Sequence, residues 1–193
     1  MSKSQPSKRR PETPTAESGD GLIRDLPLIR RYARHNEAQD YRFRAYVKSG
    51  LNLSNTELDT VVHEATDTVW KDIDCTTCGN CCRTALISVD DKDIQRLATR
   101  LSLTIKQFAQ RYVQTAPDRS KYFATVPCPF LGEDNYCSVY EDRPQSCRDF
   151  PYLYHKGFRQ YSLTMAENVA LCPIVFNVWQ ALKKRFPLPK SFR

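Results

Sequence analysis

A chain of 193 residues, 40% of them hydrophobic and 11% aromatic, holds enough apolar matter for one compact core and has room for a tail. Its formal net charge of +7 permits an acidic or nucleic-acid partner without requiring one. No apolar run approaches the roughly 18 residues of a membrane span, and no apolar stretch follows the basic residues at the start. The expectation is therefore a non-membrane, non-secreted protein of the cytoplasm.

Residues 1–21 contain no Leu, Ile, Val or aromatic side chain. Such a stretch cannot bury enough surface to offset its ordering entropy, so it is expected to be a disordered tail, with residues 22–193 forming a single domain. Lys8-Arg9-Arg10 reads as a solvated basic run.

Residues 27–48 are expected to form a helix, with Pro27 in its first turn. Arg30, Arg31, Arg34, Arg42, Arg44 and Lys48 alternate there with Tyr32, Tyr41, Phe43 and Tyr46. Cations among stacking rings suit a nucleic-acid surface. No nucleic-acid motif accompanies them, so aromatics turned inward and arginines turned to water is the favoured reading. Ser54-Asn55-Thr56-Glu57 is a capping box. Leu58, Val61, Val62, Ala65 and Val69 share one face of the helix it opens. That helix is expected to end at Trp70, a core residue close to the cysteines that follow and screening them from water, with His35 and His63 facing solvent.

The next stretch, Cys75-Thr76-Thr77-Cys78-Gly79-Asn80-Cys81-Cys82, packs four thiols into eight residues. Cys128, Cys137, Cys147 and Cys172 complete the set, in the spacing C-x2-C-x2-C-C, 45 residues, then C-x8-C-x9-C-x24-C. A C-x2-C pair can present two sulfurs to one metal because the chain turns back within two residues. Gly79 and Asn80 suit that turn through their tolerance of positive φ, with N–H groups available to sulfur. Packing explains one or two buried cysteines, not four in one turn. Neighbouring cysteines rarely pair with each other, and a reducing compartment keeps thiols free.

Residues 85–89 read as a short β-like run, followed by a helical hairpin. Asp90 or Asp91 caps its first helix (Ile94, Leu97, Ala98, Leu101), and Thr104 opens its second (Ile105, Phe108, Ala109, Tyr112). Residues 113–120 look like a polar loop. Tyr122–Val126 and Tyr136–Tyr140 read as a β-hairpin with Cys128 and Cys137 near its turn. Asp142-Arg143-Pro144 opens a helical turn that brings in Cys147. A last helix is expected over residues 166–186, with Val169, Val175, Trp179 and Leu182 inward. Cys172 lies inside it before Pro173, which marks either a break or a true first turn. The fold class is α+β: a small, mostly helical metal-binding domain with a short β-hairpin, stapled by cysteines.

Thiolate ligation selects zinc or an iron–sulfur cluster over magnesium, calcium or manganese. Four thiolates per site let eight thiols serve one site with spares, or two sites. Cys75, Cys78 and Cys82 have the x2 and x3 gaps of cluster-ligating runs. Cys81 is then expected to turn away, to a second metal or into the core. A further ligand must come from Cys128, Cys137 or Cys147, with Cys172 the weaker candidate. Arg83, Arg143 and Arg148 either offset thiolate charge or lie on the surface. His155 alone lies near the cysteines, more as a surface residue than a ligand. No G-x-G-x-x-G loop or hydrolytic triad is visible, and no catalytic residue is assigned.

The pattern Cys75, Cys78, Cys81, Cys82, then Cys128-Pro129-Phe130-Leu131, then Cys137, Val139-Tyr140, Arg143-Pro144, Cys147-Arg148 and Phe150-Pro151 resembles the cysteine-cluster proteins of YkgJ type. The resemblance covers roughly residues 70–175. It implies metal or iron–sulfur binding, in a family that includes the domain of flagellin lysine N-methylases. Three readings follow: an iron–sulfur protein, which is preferred; a structural-zinc protein with a basic face for an unidentified protein partner; and an S-adenosylmethionine-dependent methyltransferase relative. Oligomeric state is left open.

Overall fold

The computed structural model describes residues 21–192, so the expected tail lies outside the described residues apart from Gly21. Asp25 caps α1 (Leu26–Ala45) by accepting the Leu28 N–H at 2.6 Å, and Pro27 sits in its first turn. The helix widens into a π-turn over Tyr46–Gly50. Ser54 and Glu57 form the capping box that starts α2 (Asn55–Trp70). The short α3 (Asn80–Thr84) carries Cys81 and Cys82. Asp90 and Thr104, each in a capping box, start α4 (Asp91–Arg100) and α5 (Ile105–Tyr112). Strands β1 (Val113–Thr115) and β2 (Lys121–Phe123) pair antiparallel with Val113 opposite Phe123. The short α6 (Gln145–Asp149), α7 (Phe158–Asn168) and α8 (Pro173–Arg185) complete the chain.

The apolar residues gather in two clusters. The larger lies among α1, α2, α7 and α8 and includes Phe43, Leu58, Val62, Met165, Phe176 and Trp179. The smaller joins α4 and α5 to the hairpin through Ile94, Leu97, Phe108, Phe123, Phe130 and Val139. Among the described residues, no helix is long and apolar enough to cross a membrane.

The mostly helical α+β class holds, while several local expectations shift. The β-hairpin is formed by residues 113–115 and 121–123, because the chain pairs across the turn that reads as polar loop. The Cys128–Cys137 loop has only one bridge, Leu131 to Cys137. Residues 85–89 lie along β2 through Val89 N–H to Lys121 O and Phe123 N–H to Ile87 O, both 2.9 Å. The helix expected over 166–186 is two helices, and Pro173 is the true first turn of the second. Trp70 is 38% exposed rather than core, though it does line the cavity that holds the cysteines, and Tyr41 also faces water. His63 is half-buried, 5.5 Å from the Tyr154 ring.

One buried polar network ties the larger cluster together. The Asp40 carboxylate, 5% exposed, accepts from Trp179 Nε1 at 3.0 Å and from Lys183 Nζ at 2.8 Å. Removing one member of a buried pair strands the other. Asp40→Ala is therefore expected to lower unfolding free energy by roughly 3–5 kcal/mol. Urea denaturation measures this, and adding Lys183→Met should restore part of the loss.

Candidate metal centre

All eight cysteines are free thiols, and all eight line one cavity of about 350 Å³. The cavity lies where the two apolar clusters meet. Ile73, Phe150 and Ile174 wall it from one side; Ile87, Phe123, Phe130 and Val139 wall it from the other.

The first four thiols are set by a turn and a short helix. Asp74 opens the turn over Cys75–Thr77 by accepting the Thr76 N–H at 2.9 Å. The N–H groups of Cys78 and Gly79 then both reach the Cys75 carbonyl at 3.1 Å. Gly79 has φ +56°, a left-handed backbone that favours glycine there. Asn80 does not take positive φ. It is buried as the first residue of α3, where its side chain donates to Leu171 O and accepts from Arg30 Nη2, both at 2.7 Å.

The other four come from distant chain. The Cys128 N–H donates to the Cys82 carbonyl at 2.8 Å. Gly132 N–H to Tyr136 O and Ser138 N–H to Phe130 O close the loop that carries Cys128 and Cys137 on its two arms. Cys147 rides on α6, held by Ser146 Oγ donating to Ser88 O at 2.7 Å. Cys172 occupies the N-cap of α8. Backbone N–H groups point at three of these sulfurs: Phe130 and Leu131 at Cys128, Val139 at Cys137, and Ile174 and Val175 at Cys172. Such donors support thiolate charge in a water-poor site.

Burial dominates the electrostatics. It pushes Cys128 up to about 11, Cys147 to about 12 and Cys172 to about 11, and it raises Cys75 and Cys137 as well. The Cys81–Cys82 pair is the exception. The Cys81 thiol donates to the Cys82 sulfur, which lowers Cys82 to about 7 with help from Arg83, while the same bond raises Cys81. The two neighbours thus meet through this bond at the cavity wall.

Of the three arginines, two bear on sulfur. Arg83 acts on Cys82. Arg143 lowers Cys75 and Cys137 and lies 3.9 Å over the Tyr140 ring. Arg148 instead holds backbone, donating from Nε to the Arg143 carbonyl at 3.0 Å. His155 faces Asp149 at 3.8 Å and packs against Tyr152 and Tyr161, away from the cavity lining. Sequence reasoning placed Asn80 in the thiol turn for its backbone, and missed its side-chain bonds and Arg30 as supports. Their partners lie 91 and 50 residues away, and no local pattern signals such bonds.

Among the described residues, no three His, Cys, Asp or Glu side chains come together in a group that would hold a single metal ion. Tetrahedral zinc at about 2.3 Å from each sulfur needs the sulfurs roughly 3.8 Å apart. The eight cysteines instead share the lining of one cavity.

A family model described as "CxxCxxCC: Putative zinc- or iron-chelating domain" matches residues 74–170, half of the chain. The matched segment takes in every cysteine but Cys172, which lies two residues beyond it. No solved structure matches the chain.

A thiolate is the ligand form, and buried thiols near 11 and 12 carry protons at pH 7. Metal must displace those protons, so their competition weakens as pH rises. Apparent affinity should climb by up to about tenfold per pH unit for each proton displaced. Proton release read with an indicator dye, alongside chelator competition across pH 6–8, checks this. An affinity flat with pH would contradict it.

Proposed function

Because the chain belongs to the CxxCxxCC family and is a metal-binding protein of the zinc- or iron-chelating kind, we propose that its metal is iron, held as an iron–sulfur cluster by thiolates from both halves of the chain. One observation carries this reading: eight cysteines line a single space of about 350 Å³, and among the described residues no three of them form a group suited to one metal ion. A polynuclear group meets thiolates spread around its own body, whereas one zinc ion needs them at its surface. Hydrogen bonds to sulfur, solvent exposure and net charge set the potential of such clusters. This chain supplies N–H donors at Cys128, Cys137 and Cys172, apolar walls, and the Arg143 and Arg83 cations.

A bound cluster supplies one-electron exchange, or structural support to a protein built around it. Eight free cysteines suit the reducing cytoplasm as the place of action. The protein residues hold the group, exclude water with Phe123, Phe130 and Ile174, and counter thiolate charge with Arg143.

Purified anaerobically, the protein should be brown, with iron and acid-labile sulfide in comparable amounts. A colourless protein with zinc and no sulfide would support structural zinc and sink the cluster.

Metal removal should also loosen the fold, because both apolar clusters wall the same cavity. Metal binding in small thiolate domains contributes of order 10 kcal/mol to folding. The thermal midpoint followed by circular dichroism should fall clearly after chelation. An unchanged melt would remove the structural role.

A further inference from the structure

A second hollow, of about 810 Å³, lies between α1 and α8. Residues 21–23, ahead of α1, and residues 187–188, after α8, also line it. It shares no lining residue with the cysteine cavity. Every residue that lines it falls outside the segment 74–170 that the family model matches.

Its lining combines apolar surface with donors. Leu22, Leu188 and the Tyr32 ring line it over the buried rings of Phe43 and Phe176. Arg42, Lys183 and Lys184 line it too, and no Asp or Glu does. Lys183 is paired with Asp40 at 2.8 Å. Arg42 and Lys184 are exposed and make no ion pair among the described residues. Gln180 lies one helical turn before Lys184, so the two share a face of α8. The Gln180 carbonyl accepts the Tyr32 hydroxyl at 3.2 Å, while its buried Nε2 has no hydrogen-bond partner among the described residues. A buried amide donor without a partner is costly, and an acceptor oxygen brought by a ligand removes that cost.

We propose that this groove binds a small amphipathic carboxylate, with its acid group among Arg42, Lys184 and Gln180 Nε2 and its apolar body against Leu22, Leu188 and Tyr32. A guanidinium fork matches the two oxygens of a carboxylate. A phosphate would bring a third charged oxygen and would find no helix N-terminus in the lining to receive it. The proposal does not depend on the metal reading, since the two hollows are built from different residues.

Titration calorimetry of the full, metal-loaded chain with decanoate, decanol and inorganic phosphate is the test. Decanoate should bind once per chain, and decanol and phosphate at least about tenfold more weakly. The double variant Arg42→Gln/Lys184→Gln should lose about tenfold in decanoate affinity while keeping its metal content and circular dichroism. The Gln180 side-chain amide signals, identified in nitrogen-15 NMR by their loss in Gln180→Met, should shift when decanoate is added to the wild-type chain. That readout needs no variant to bind. Absence of heat and of any shift at millimolar decanoate would overturn the proposal. So would equal binding of decanol or phosphate, or a folded double variant that binds as the wild type does. Binding seen only after removal of residues 1–20 would make those residues the groove's own occupant, and the carboxylate site would fall.

Discussion

Burial of sulfur is the constraint on which the rest of the structure depends. A thiol in an apolar cavity resists ionisation, yet only its thiolate binds metal. The chain answers with groups aimed at the sulfurs. Amide N–H donors reach Cys128, Cys137 and Cys172 from the residues just after each, so the thiols arrive with their own local support. Arg143 adds positive charge between Cys75 and Cys137, and the Cys81 thiol feeds its proton toward Cys82.

Position is secured as carefully as charge. Arg143 is itself held by a hydrogen bond from Nη1 to Tyr140 O at 2.8 Å, and its carbonyl accepts from Arg96 Nη2 at 2.9 Å and from Arg148 Nε at 3.0 Å. Arg96 is in turn paired with the buried Asp93, which also receives the Gln145 N–H. Cys147 thus stands on a turn braced from α4. Arg30 on α1, outside the segment that matches the family, braces the opposite wall through Asn80.

Helix starts were legible because their chemistry is local. Ser54 with Glu57, Asp90 with Asp93 and Thr104 with Gln107 each satisfy orphan N–H groups within four residues. The β1–β2 pairing was not, since Val113–Thr115 holds one apolar residue and gains its strand character from its partner. Apolar periodicity carried the last helix through residues 169–172, but Pro173 cannot bond to the preceding turn. At the site, cysteine spacing marked the thiols that line one cavity. It could not show that Cys81 turns toward Cys82, because that depends on where α3 lies against the larger cluster. Trp70 was misread as core because a large ring at a helix end fits either a core or a rim.

The bond between the Cys128 N–H and the Cys82 carbonyl has a topological consequence. Between these two cysteines the chain makes a 45-residue excursion that holds most of the smaller cluster, from Val89 to Phe123. The excursion leaves and returns through a single neck, and that neck is the cavity wall. Loop-closure entropy grows only slowly with length. The far tip, at the turn between β1 and β2, is therefore free to lengthen or shorten over generations while the sulfurs at the neck keep their places.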